Sequence, residues 1–123
     1  MPSPRPSERP IYVLLEDELT RKVEELRRQA AAGAKDPQML VKSLDRIFGI
    51  LAREFQHGEV VPKSRIPATL VARFDLSNLY VEDLPGFRRM LYTVEGDESA
   101  VTVIILMVID HDEYDRLFRI RRR

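Results

Sequence analysis

Near Gly58 the spacing of apolar residues changes from about 3.6 to 2, and that change limits the chain to a mixed fold. Before it, Leu19, Val23, Leu26 and Ala30 fall on one helical face, with Glu24, Glu25, Arg27 and Arg28 turned largely away. Gly33 is the natural stop. Asp36-Pro37 reads as a second start, with Asp36 as N-cap and Pro37 at the first helical position, where its missing N–H is harmless. Leu40, Leu44, Ile47, Leu51 and Phe55 carry the stripe on to Gly58. A helical hairpin from about Asp17 to Phe55 follows, and its apolar faces need a sheet to cover.

The second half supplies that sheet. Asn78 to Leu84 alternates like a half-buried strand, Pro85-Gly86 is a turn pair, and Arg88 to Val94 is the returning strand, closed by Glu95-Gly96-Asp97-Glu98. Ala100 to Ile109 is unbroken in its apolar character, which predicts a central strand buried on both faces. Ile11 to Leu15 forms a further strand, Ala68 to Phe74 a short helix after Ile66-Pro67, and Tyr114, Leu117 and Phe118 a closing helical turn. The order predicts an α+β fold: an N-terminal strand and helical hairpin on a small, mainly antiparallel sheet, with a short C-terminal helix.

At 123 residues the chain has the size of one domain, assigned here to residues 11–123. Residues 1–10 hold four prolines and no apolar run, so they read as a disordered, extended leader rather than a signal peptide. The apolar run from Ala100 to Ile109 is about half of what a spanning helix requires, which predicts a protein without a membrane segment, placed in the cytoplasm. There is no cysteine, which excludes disulfides, thiolate chemistry and cysteine-built zinc sites. Twenty basic residues balance twenty acidic ones, so any nucleic-acid binding must come from a local patch.

Strong catalytic signatures are absent: no Gly-rich phosphate loop, no nucleophile elbow and no paired-histidine helix. Asp110-His111-Asp112-Glu113-Asp115 reads as an acidic N-cap and first turn rather than a metal site. His57, just before Gly58, reads as a helix C-terminal residue favoured by the dipole and receives no function. The five phenylalanines, Phe87 among them, are assigned to the core or its edge. The cations offer more. Lys63 and Arg65 flank Ser64 in a proline-bounded segment, and Arg88-Arg89 begin a strand, where only one of the two can face a given site. The chain closes on Arg119-Ile120-Arg121-Arg122-Arg123. These groups converge on one patch if the last helix folds back over the sheet. Otherwise Arg89 is a cross-strand partner of Glu82 or Asp83 and carries no chemistry.

The stretch from Asn78 to Val94, with Arg89-Met90-Leu91-Tyr92 at its centre, resembles the central hairpin of the RelE/ParE toxin superfamily. Val103 to Ile109 and His111-Asp112-Glu113-Tyr114-Asp115 are similar to the last strand and polar tail of many members. The resemblance implies a toxin of a type II toxin–antitoxin pair, partnered by a cognate antitoxin. It further implies a ribosome-dependent endoribonuclease that cuts messenger RNA without metal or small-molecule cofactor. In that reaction the ribose 2′-hydroxyl attacks the adjacent phosphate, leaving a 2′,3′-cyclic phosphate and a 5′-hydroxyl. Carried over, Arg89 clamps the phosphate, Tyr114 or His111 transfers a proton, and Lys63, Arg65 and Arg88 add positive charge along the RNA. Tyr80 and Glu82 stand where RelE carries lysines. The alternative implied by the same resemblance is a non-catalytic interaction module, either a ParE-like gyrase inhibitor or an inactive homologue.

Overall fold

A computed structural model describes residues 9–119. The elements are β1 (Ile11–Leu15), α1 (Asp17–Ala31), α2 (Lys35–Leu51), β2 (Glu59–Val60), a 3-10 turn (Lys63–Arg65), α3 (Ala68–Phe74), β3 (Tyr80–Leu84), β4 (Arg88–Gly96), β5 (Val101–Asp110) and α4 (His111–Leu117). They build an α+β fold on one five-stranded sheet of order β1-β5-β4-β3-β2. Only the β1–β5 pairing is parallel; the other three are antiparallel.

One residue makes the change from the first strand to the first helix. The Glu16 N–H donates to the Ile105 carbonyl at 2.9 Å, continuing the sheet. Its carboxylate accepts the N–H groups of Glu18 and Leu19 at 3.0 and 3.3 Å, capping α1. Gly33, at φ +99°, lets the chain leave α1 and turn back into α2. The paired helices bury Leu19, Val23, Leu40, Leu44, Ile47 and Leu51 against Met90, Tyr92, Val103 and Ile105 of the sheet. Leu44 and Leu51 are wholly buried, and each contributes about 1.5–3 kcal/mol of transfer free energy.

The opposite face is covered by α3 and α4, where Leu70, Leu79, Leu91, Leu106, Ile109 and Tyr114 form a second apolar cluster. β5 therefore lies in the interior of the sheet with an apolar layer on each side, as its unbroken sequence predicts. A register shift punctuates it: Leu91 faces Met107 while Tyr92 faces Ile105, leaving Leu106 as the extra residue. Beyond that bulge β5 changes parity. Val103 and Ile105 pack under α1 and α2 before it, and Val108 does so after it.

Several boundaries differ from expectation. α2 begins at Lys35, with Ala34 as a cap residue that makes no side-chain bond, so Asp36 is not the N-cap and Pro37 is the third helical residue. A proline is tolerated there because the first helical N–H groups have no partner within the helix. α2 ends at Leu51, and Phe55 packs on the core from the turn beyond. β3 begins at Tyr80, not Asn78. The Asn78 side chain nonetheless acts like a ladder residue, donating to the Val94 carbonyl at 2.8 Å and accepting its N–H at 2.9 Å. Phe87 does not join the core: it stands at the β3–β4 hairpin tip, 84% exposed.

Of the proline-rich leader, residues 1–8 lie outside the described residues, as do residues 120–123 of the basic tail. The last two leader residues are tied to the sheet. The Pro10 carbonyl accepts the Val101 N–H at 2.9 Å, and Arg9 donates to the Asp97 carbonyl at 2.7 Å. Among the described residues no helix is long and apolar enough to cross a membrane.

Candidate functional site

β2 is two residues long and pairs with Tyr80 and Val81, so among the described residues no strand continues past Glu82, Asp83 and Leu84 at this edge. A cleft of about 1430 Å³ opens there, lined from both faces of the sheet. Successive β3 residues project to opposite sides, so Glu82 and Asp83 serve the two walls separately.

On the α4 wall, Arg89 rises from β4 directly opposite Asp83. Its Nε lies 3.3 Å from Asp83 Oδ1, and its guanidinium carbon sits 4.2 Å from the centre of the Tyr114 ring. Tyr114 stacks in turn on Phe118, with ring centres 4.3 Å apart. Arg89 is thus held by a carboxylate on one side and a ring on the other. Arg65, Arg116 and Arg119 line the same cleft and make no ion pair among the described residues.

On the α2 wall, His57 Nδ1 lies 2.6 Å from Glu82 Oε1. The carboxylate side chain is 8% exposed and the imidazole 40% exposed, so the pair is anchored inside and open outside. The Glu82 hydrogen bond and charge raise the His57 pKa above the ordinary imidazole range; Glu54 adds to the rise, while burial and Arg46 oppose it. The turn that carries His57 is fixed from below by Tyr92, whose hydroxyl donates to the Phe55 carbonyl at 3.0 Å and accepts the Gly58 N–H at 2.8 Å. Burial pushes the Tyr92 phenol up to about 12, so it stays protonated and keeps both bonds.

The sequence candidates separate on this map. Arg89, Tyr114 and Arg65 line one cleft. Lys63 stands exposed in the 3-10 turn and is not among the lining residues. His111 lies outside the lining, with Nε2 3.6 Å from Asp115 Oδ2. Arg88 faces away, toward α1 and α2, 3.9 Å from Asp36. Asp110 caps α4 by accepting the Glu113 N–H at 2.8 Å, the role expected of this acidic run.

Sequence reasoning missed Arg46, Arg116 and the His57–Glu82 pair. Arg46 and Arg116 lie outside every motif, on the exposed faces of their helices. The sequence puts His57 at a helix C-terminus under the dipole, but it lies past the end of α2 and answers instead to Glu82. Five arginines (46, 65, 89, 116 and 119) and four carboxylates (59, 82, 83 and 113) line the cleft. Two of those carboxylates are engaged by His57 and Arg89, which leaves an excess of cations facing open solvent. Such a wall can hold a polyanion, and a histidine backed by a carboxylate can move a proton.

Among the described residues no three His, Cys, Asp or Glu side chains are grouped to hold a metal ion. No protein-family model, no curated protein and no solved structure matches the chain.

Proposed function

We propose that this chain is the toxin of a type II toxin–antitoxin pair, a RelE-like ribonuclease that cuts messenger RNA on the ribosome, in the cytoplasm, without metal. The observation that carries the reading is Arg89 laid over Tyr114 inside a cleft whose cations outnumber its carboxylates. Cleavage by an internal ribose hydroxyl needs positive charge where the phosphorane forms, and a strand-borne guanidinium supplies a rigid, planar pair of donors. Asp83 is no obstacle. Its side chain is 88% exposed, so its pairing with Arg89 is weak and an arriving phosphate displaces it.

The test is expression of the wild type and Arg89→Ala in cells, with messenger RNA ends mapped on translating ribosomes. Wild type should arrest growth and leave new 5′-hydroxyl ends, and Arg89→Ala should lower cleavage about 10²–10³-fold. Equal growth with no new ends removes the nuclease reading. Toxicity that survives Arg89→Ala, with gyrase arrested, moves the assignment to the ParE side of the resemblance.

A second reading, a module whose work is to be bound, has its own observation. β1 is an edge strand, and its Tyr12 and Leu14 side chains are 54% and 53% exposed. An antitoxin segment added as a strand would cover both. Co-expression with the neighbouring small reading frame should give a complex that Tyr12→Lys/Leu14→Lys weakens. Unchanged complex formation by this variant removes β1 as the docking edge.

A further inference from the structure

The turn that carries His57 is fixed at three points. The Tyr92 hydroxyl bonds Phe55 and Gly58 on either side of it, and the His57 N–H donates to the Glu54 carbonyl at 3.0 Å. The ring then meets the Glu82 carboxylate at 2.6 Å through Nδ1, while Nε2 makes no hydrogen bond among the described residues. Half of such an arrangement, a surface histidine on a carboxylate, is common. Here the carboxylate is buried, the backbone is pinned, and the open nitrogen belongs to a residue lining the cationic cleft. His111, the other histidine, does not line it.

We infer that His57 is the proton-transfer group of the proposed RNA cleavage, with Glu82 as its positioning residue and a single-stranded RNA phosphodiester as the substrate. This rests on the ribonuclease reading and adds the base to it. In the neutral imidazole Nδ1–H donates to Glu82, which fixes the tautomer and leaves the Nε2 lone pair outward. Nε2 takes the proton of the ribose 2′-hydroxyl as the O2′–P bond forms. The P–O5′ bond breaks, leaving the 2′,3′-cyclic phosphate, and the departing 5′-oxygen takes a proton from water. His57 then returns its proton to solvent. Arg46, whose charge His57 feels, lines the cleft and adds positive charge along the RNA, while Arg89 remains the clamp on the phosphate.

The charged groups that act on His57 are Glu82 from β3, Glu54 from its own turn and Arg46 from α2, while the protonated Tyr92 from β4 holds the turn beneath it. The two carboxylates hold the imidazole protonated to higher pH than usual, so the acid limb of cleavage should report its titration.

The experiment measures cleavage of ribosome-bound messenger RNA from acidic to neutral pH. It compares wild type, His57→Asn, which keeps a donor toward Glu82 but cannot accept the proton, and Glu82→Gln, which keeps the acceptor without the charge. His57→Asn should lower kcat about 10²–10⁴-fold, leave KM unchanged and abolish the acid limb. Glu82→Gln should move that limb to lower pH, a shift that a purely structural role does not produce. Wild-type kcat and an unmoved limb in both variants, while Arg89→Ala is inactive, remove His57 and leave the ribonuclease standing. A wild type that cuts no RNA removes both. Should His57→Asn fail to fold, NMR titration of the wild-type His57 ring with a non-cleavable 2′-deoxy oligonucleotide decides. A shifted resonance supports the inference and an unmoved one overturns it.

Discussion

The Tyr92 hydroxyl accepts the Gly58 N–H at 2.8 Å, and only glycine permits that approach. A Cβ at position 58 would stand 2.7 Å from Tyr92 Oη and 2.9 Å from the Val81 carbonyl oxygen. The first contact is with a wholly buried ring and the second with sheet backbone, so neither neighbour can move aside.

Gly58→Ala is therefore expected to destabilise the fold by about 1–3 kcal/mol, the usual effect of overpacking. Tyr92→Phe should cost about 1–3 kcal/mol by a different route, because the Gly58 N–H and Phe55 carbonyl lose their partner. Urea unfolding of both variants checks this. Wild-type midpoints would show that the turn has other support.

The His57–Glu82 pair gives the fold a pH dependence of known sign. The His57 pKa is raised on folding, so the stability it contributes is fully present below the unfolded value near 6.5 and is lost as pH rises through the folded value. The stability difference between wild type and His57→Asn should be largest in mild acid and shrink as pH rises past neutrality. Denaturation curves collected at several pH values test it. A difference that grows with pH contradicts the hydrogen-bonded pair seen here.

If Arg89 clamps phosphate as proposed, Asp83 competes with that phosphate for its guanidinium. Asp83→Asn removes an exposed ion pair worth about 0.2–1 kcal/mol, so the melting temperature should barely change. RNA affinity should rise, because the guanidinium then has no carboxylate to leave. Fluorescence anisotropy with a labelled single-stranded RNA measures this. Tighter binding supports Arg89 as a phosphate clamp, and weaker binding assigns Asp83 a positive role in holding it.

What the sequence disclosed follows the reach of its physics. β5 was legible because a strand covered on both faces must be apolar nearly throughout, and Val101 to Ile109 is, with Thr102 its one polar residue. α3 was legible because Ile66-Pro67 marks its start, and the structure ends it at Phe74 with Asp75 in the left-handed region at φ 53°. The start of α2 was not, since Asp36-Pro37 satisfies a capping pattern that a helix starting two residues earlier tolerates equally well. β2 has two residues and hence no period to read. At the site, Arg89 and Tyr114 were named from sequence and stand together. His57 and Glu82 lie 25 positions apart, and what joins them is a turn pinned by a third residue in the core. No local pattern in the chain encodes that meeting.

Phe87 tests the other extreme, a large apolar residue that contributes nothing to the core. It follows Gly86 in the hairpin loop, and both hold positive φ, 57° for Phe87 and 74° for Gly86. A bulky side chain in the left-handed region carries a penalty of roughly 1–2 kcal/mol. At 84% exposure its ring recovers little of that by burial. Phe87→Gly relieves the strain and gives back about 0.5–1 kcal/mol through the greater entropy of the unfolded chain. The expected net effect is a stabilisation of about 0.5–1 kcal/mol, read as a higher urea midpoint at unchanged slope. A lower midpoint would mean that the ring packs against the hairpin in solution. A higher midpoint together with weaker capture of the proposed antitoxin would assign the ring to a partner surface, since it then does nothing for the fold that bears it.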